Sequence, residues 1–200
     1  AILLLGLLLT TAAGALAASG QPLVDVPDRI AAAVGESVIV TVNLDNDGEA
    51  ISGIIFSLDI EPACLALNPT DADGDGIPDA ALFVLPPQFT PALSYQPDDE
   101  DGEIDVVITD YSPPLGSLPN GPLLALRFEV VCAPSAGENS RISDILFSNY
   151  PPVSFGNPAG ESVLGLSSTG SVKITWAPAA TLTPTATSTP LATATPTATP

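Results

Sequence analysis

An alternation of period two recurs along the middle of this chain, and it constrains the fold more than any other feature. In the run Ser37–Leu44, Val38, Val40, Val42 and Leu44 fall on one side and Ser37, Thr41 and Asn43 on the other. Ile54, Phe56, Leu58 and Ile60 repeat the pattern, as do Ile104, Val106 and Ile108. Leu124, Leu126, Phe128 and Val130 continue it, and Val172, Ile174 and Trp176 close it. Successive side chains of a strand point to opposite faces, so each run buries one face and wets the other, and β-branched residues suit the pleat. By this parity Trp176 is expected in the core. Between the runs stand Asn46-Asp47-Gly48, Pro86-Pro87, Pro113-Pro114, Pro119-Asn120-Gly121 and Pro151-Pro152. Proline removes a ladder donor and glycine opens positive φ, so these clusters end strands. No window of about eleven residues in the same region carries a 3.6-residue period. Many short strands without helices predict an all-β sandwich or barrel, a single domain over residues 22–176.

Charge narrows the function. The chain carries 23 acidic and four basic side chains and no histidine, a net charge of −19. Four scattered cations, Arg29, Arg127, Arg141 and Lys173, cannot neutralise a row of phosphates or an anionic lipid surface. Without histidine there is no Ser-His-Asp triad, no Cys-His pair and no His-ligated zinc.

The two ends read differently from the middle. Ala1–Leu9 is apolar throughout but for Gly6, too short a run to span a bilayer, and Ala15-Leu16-Ala17 supplies a small-x-small cleavage site. Residues 1–17 are therefore expected to be a secretory signal clipped at its start, with the mature protein beginning near Ala18. Thr181–Pro200 contains only Thr, Pro, Ala, Leu and Ser. Such a composition buries too little to offset its ordering entropy, so residues 177–200 are expected to form an extended linker, with a further module or surface anchor beyond it.

In an exported chain Cys64 and Cys132 are expected to form a disulfide, two separate buried thiols being the alternative. One loop has metal chemistry in it. Asp71, Asp73, Asp75 and Asp79 occupy positions 1, 3, 5 and 9 of a short loop, with Gly76 at position 6 and the Ile77 carbonyl as the position-7 oxygen. Calcium takes six to eight oxygens, alternate residues of a tight loop can turn carboxylates inward, and the carboxylates repel one another without a cation. The expected ion is calcium in a structural role, with a solvated acidic turn as the alternative. Position 12 is Leu82 instead of a bidentate acid, so the loop departs from an EF-hand and resembles the shorter calcium loops of dockerin and thrombospondin-type repeats. The run Asp98–Glu103 lacks that alternation and reads as a solvated hairpin.

Several segments, in order along the chain, resemble the cohesin domain. Val34–Val42 is similar to that family's second strand and Ile51–Pro62 to its third, with Asp59–Leu67 like the exit into strand four. Gly102–Ile108 resembles strand six, Gly121–Val130 the glycine-led strand seven, Arg141–Phe147 strand eight and Gly170–Ile174 the closing strand. The resemblance implies a nine-stranded jelly-roll sandwich in which strands four and seven are neighbours, which would bring Cys64 beside Cys132. It also implies a module without a catalytic site that binds a dockerin-type partner, in the assembly of complexes that bind or degrade polysaccharides. The face implied for the partner, on strands eight, three, six and five, carries Ile55, Ser57 and Asp59 with Asp105, Val107 and Thr109 on the next strand. Direct polysaccharide binding is the alternative, for which Trp176, Tyr95, Tyr111 and Tyr150 are the candidate platforms. A glycosidase needs two carboxylates placed across a cleft, and nothing in the sequence places such a pair.

Overall fold

Each alternating run becomes a long strand in a computed structural model, which describes residues 20–97 and 102–177. In chain order the elements are β1 (Leu23–Asp25), β2 (Ile30–Ala33), β3 (Ser37–Asp45), β4 (Gly53–Asp59), β5 (Leu65–Leu67), β6 (Ala81–Phe83) and β7 (Phe89–Tyr95). They continue as β8 (Glu103–Asp110), β9 (Gly121–Val130), β10 (Ser140–Phe147), β11 (Ser154–Gly156), β12 (Ser162–Val163), β13 (Leu166–Ser168) and β14 (Gly170–Thr175). There is no helix among the described residues. Fourteen segments exceed the nine strands expected because pieces of two to four residues, such as β2, β6, β12 and β13, add to the long ones. The jelly-roll sandwich itself stands.

Two sheets face each other. One has the order β13-β1-β3-β9-β5, with β6 also on β9. The other runs β12-β11-β4-β10-β14-β2, with β8 on the far side of β4 and β7 on β8. The chain changes sheet between β2 and β3, where Val34 N–H donates to Thr175 in one sheet and Gly35 N–H to Val130 in the other. Gly35 takes φ 81° there, a conformation a side chain would strain. Inward residues of both sheets fill one core. Phe56, Leu58, Ile104, Val106 and Ile108 from one sheet and Val40, Val42, Leu124, Leu126 and Phe128 from the other are fully buried. Phe56 meets the Phe147 ring edge to face, with centroids 5.8 Å apart.

Two places depart from strict alternation for visible reasons. In β9 both Leu123 and Leu124 are buried, because the β3–β9 register slips between Val42 and Asn43, next to Pro122. Such a bulge accommodates a proline that lacks a ladder donor. Trp176 corrects the expectation of a core residue: β14 ends at Thr175, and the indole is half exposed with its Nε1–H donating to the Glu138 carbonyl. Its parity belongs to a strand that has already ended.

Cys64 precedes β5 and Cys132 follows β9, and the two strands are antiparallel neighbours with Leu65 opposite Val130. The two sulfurs are bonded, at 2.11 Å. The signal segment 1–17 and all but Ala177 of the linker expected over 177–200 lie outside the described residues, as does Asp98–Asp101 of the acidic run, which connects the antiparallel β7 and β8.

Candidate functional site

The outer face of the second sheet is built on β4, and its neighbours dictate what it displays. β8 lies antiparallel on one side, pairing Ile55 with Val107 and Ser57 with Asp105. β7 continues the rows, with Ala92 beside Val107, Ser94 beside Asp105 and Thr90 beside Thr109. The other side of β4 is shared: β10 pairs with Leu58 and Asp59, and β11 pairs with Gly53, Ile54 and Ile55. An apolar row, Ile55–Val107–Ala92, thus crosses three strands between two polar rows.

Of the six residues expected on this face, Ile55 is exposed, while Asp59, Asp105, Val107 and Thr109 are partly covered. Ser57 is a correction. It has outward parity, yet it is fully buried. Its Oγ lies 2.9 Å from Glu103 Oε1 and 2.8 Å from Asp105 Oδ1, and its carbonyl accepts from Ser148 N–H. It therefore orients two carboxylates and presents no surface of its own to a partner.

Beside the apolar row lies an open groove of about 380 Å³, lined by Ile55, Val107, Thr109, Tyr111, Leu115 and Phe155, among others. Asp110 fixes the loop on its rim. This buried carboxylate accepts from Ser112 N–H at 2.8 Å and Gly116 N–H at 2.7 Å, which folds residues 111–116 back over the end of β8. Tyr111, one of the candidate sugar platforms, lies on this groove, whereas Leu115 was not anticipated, nor were Ala92 on β7 and the exposed Ile142 and Leu146 on β10. Ile142 and Leu146 were open to the same parity argument, since they alternate with the buried Ser143 and Ile145. In β7 the mid-strand Pro91 masks the pattern; an edge strand tolerates it because one side of its backbone needs no ladder donor.

The Asp71–Asp79 loop folds around its first carboxylate. Asp71 accepts from Gly74 N–H at 2.8 Å and Gly76 N–H at 2.9 Å, with both glycines at positive φ. The Gly76 N–H above all, and after it that of Gly74, hold the Asp71 carboxyl below its ordinary range. Carboxylate oxygens of Asp71, Asp73 and Asp79 lie within 4.8 Å of one another. Asp75 stands apart from that group, and its Oδ1 accepts from Ile77 N–H. Three of the four acids expected to act together thus converge, and the fourth shapes the turn.

No family model and no curated protein sequence matches this chain. Solved structures match its fold. A chain of a type I cohesin–dockerin complex from Clostridium thermocellum is similar at a TM-score of 0.57 and 18% identity, over 82% of this chain and 99% of that one. A non-cellulosomal cohesin from the hyperthermophilic archaeon Archaeoglobus fulgidus gives 0.53 and 18%, over 78% and 91%. A type II cohesin domain from the cellulosome of Acetivibrio cellulolyticus gives 0.54 and 17%, over 78% and 95%. The molecule is a two-sheet jelly roll with an accessible sheet face. Its fold is that of the cohesin modules.

Proposed function

We propose that this chain is an exported, non-catalytic module that grips a dockerin-type partner through the outer face of β4, β8 and β7. Its setting would be the assembly of complexes that handle polysaccharides. One observation carries the reading: the fold covers nearly the whole of a chain solved in a cohesin–dockerin complex. An exposed apolar row framed by polar ones is also what a docking face needs, with a dry centre and a wet rim. The disulfide fits export, since such bonds persist in oxidising compartments. Direct polysaccharide binding is the second reading, favoured by Tyr111, an exposed ring on the groove. Arrayed dockerin modules, including those encoded by the same genome, separate the two when probed beside cellulose, xylan and chitin gels. Retention by a dockerin and not by the gels is the expected result; retention by polysaccharide alone contradicts the first reading.

For the acidic loop the proposal is a structural calcium ion held by Asp71, Asp73 and Asp79, with the Ile77 carbonyl as a further oxygen. The convergence of three carboxylates supports it, because without a cation they repel. Calorimetric titration with calcium should give a binding heat that Asp73→Ala plus Asp79→Ala abolishes. Identical heats from wild type and variant would end the claim.

A further inference from the structure

We infer that the groove at the start of β4 is a site for a short neutral saccharide, one or two sugar units seated on a glycine floor between β8 and β12. Such a site requires neither a docked partner nor a polysaccharide chain, so it holds or fails apart from both readings of function. Gly53 shares the outward parity of Ile55, and its register partners extend one row across the sheet. Thr109 lies beside it on β8, Gly156 on β11 and, beyond Gly156, Ser162 on β12. Hydroxyl side chains thus flank two adjacent bare positions. Glycine weakens a strand, and it recurs in strands where a ligand or a second backbone comes close. Neither glycine sits at positive φ, so the backbone does not require them. A Cβ at Gly53 would lie 3.3 Å from Thr109 Oγ1, a tight fit, but at Gly156 the nearest atom would be the Gly53 carbonyl oxygen, at 4.0 Å. Packing gives no reason for the bareness of Gly156; a ligand lying on the floor does.

Two pinned loops wall that floor. β8 and β11 both run antiparallel to β4, on opposite sides of it, so the segments that follow them stand at the same end of the sheet. One carries Tyr111 and is held by Asp110. The other turns on Asn157, whose Oδ1 accepts from Ala159 N–H at 3.0 Å and Glu161 N–H at 2.9 Å, while its Nδ2 donates to Glu161 Oε2 at 3.1 Å. The lining offers an exposed ring, a carboxylate and the hydroxyls of Thr109, Ser154 and Ser162. Among the described residues none of these three hydroxyls has a hydrogen-bond partner. Sugar hydroxyls both donate and accept, and a C–H face packs on an aromatic ring, so this mixed lining suits a pyranose. None of the four cations lines the groove and Glu161 does, which selects against an anionic sugar. At about 380 Å³ the groove is at the small end of ligand clefts, which run ~300–1,000 Å³. A ligand of one or two units binds at about millimolar strength, too weakly for a polysaccharide gel to retain the module.

NMR titration of the isotope-labelled module tests the inference. The probes are glucose, galactose, mannose, xylose, N-acetylglucosamine, cellobiose and xylobiose, each to about 50 mM, beside galacturonate as the anionic sugar. At least one neutral sugar should shift the amides of Gly53, Tyr111, Gly156 and Glu161 to saturation, and galacturonate should not. Gly156→Val, which sets a side chain on the floor, should weaken that sugar about tenfold or more, with a thermal melt showing the variant folded. Tyr111→Ala, on the exposed rim, should weaken it too, and Ile142→Ser on β10 should leave it unchanged. No saturable shift from any neutral sugar overturns the inference, as does a shift that Gly156→Val and Tyr111→Ala both leave intact. Shifts of these amides caused by a dockerin module and by none of the sugars assign the groove to the protein partner; they overturn the inference and leave the docking reading whole.

Discussion

Ser57 and Asp105 are register partners across β4 and β8, and the buried serine hydroxyl lies 2.8 Å from the aspartate carboxylate while Glu103 sits 2.9 Å from the same oxygen. The two acids are held close on the outer face of the second sheet, and neither belongs to the ion pairs Arg29–Asp28 and Arg141–Glu61.

A stability cost follows from that arrangement. Asp105→Asn keeps the shape, removes a like charge and supplies amide N–H donors for Glu103. The free module should melt higher by about 1–4 °C, the equivalent of a few tenths to one kcal/mol for a domain of this size. Differential scanning calorimetry checks the sign; a lower midpoint would show that the charge contributes to folding.

The Cys64–Cys132 bond should contribute more. It closes a sequence separation of 68, for which the chain-entropy model gives ~4 kcal/mol. Cys64→Ala plus Cys132→Ala should lower the urea midpoint accordingly without changing the sheet signature in circular dichroism. Strands β5 and β9 remain paired through Leu65–Val130 and Leu67–Phe128 in that variant.

Alkaline pH should act through Tyr95, whose phenol burial holds above its ordinary value of 10.0. Below pH 10 the folded and unfolded chains both keep this proton, and the group contributes nothing to the pH dependence. Above it the unfolded chain ionises first, so stability falls as pH rises from 10 through the folded value. Tyr95→Phe should flatten that part of the midpoint-against-pH curve. An unchanged slope would place the loss elsewhere.

How far these features were legible depends on what each rests on. The long strands β3, β4, β8 and β9 were readable because a two-residue period has one physical cause, a half-buried pleat. The bulge at Leu123 and the end of β14 before Trp176 were not, since both depend on how strands meet. On the candidate face, Ile55 and Val107 followed from parity. The burial of Ser57 did not, because parity gives direction while cover comes from Glu103, Asp105 and the Ser148 segment. In the acidic loop, spacing alone made the four aspartates equivalent. All four accept from backbone N–H groups of the loop, and the way the loop folds brings only Asp71, Asp73 and Asp79 together.

The docking role proposed for this module places a dockerin-type partner on the face around Ile55. Isothermal titration of a bound dockerin module with wild type and with Ile55→Asp measures this directly. A central apolar contact replaced by a charge should weaken binding by about thirtyfold or more, with a thermal melt showing that the variant is still folded at the titration temperature. Equal dissociation constants for the two proteins would contradict it.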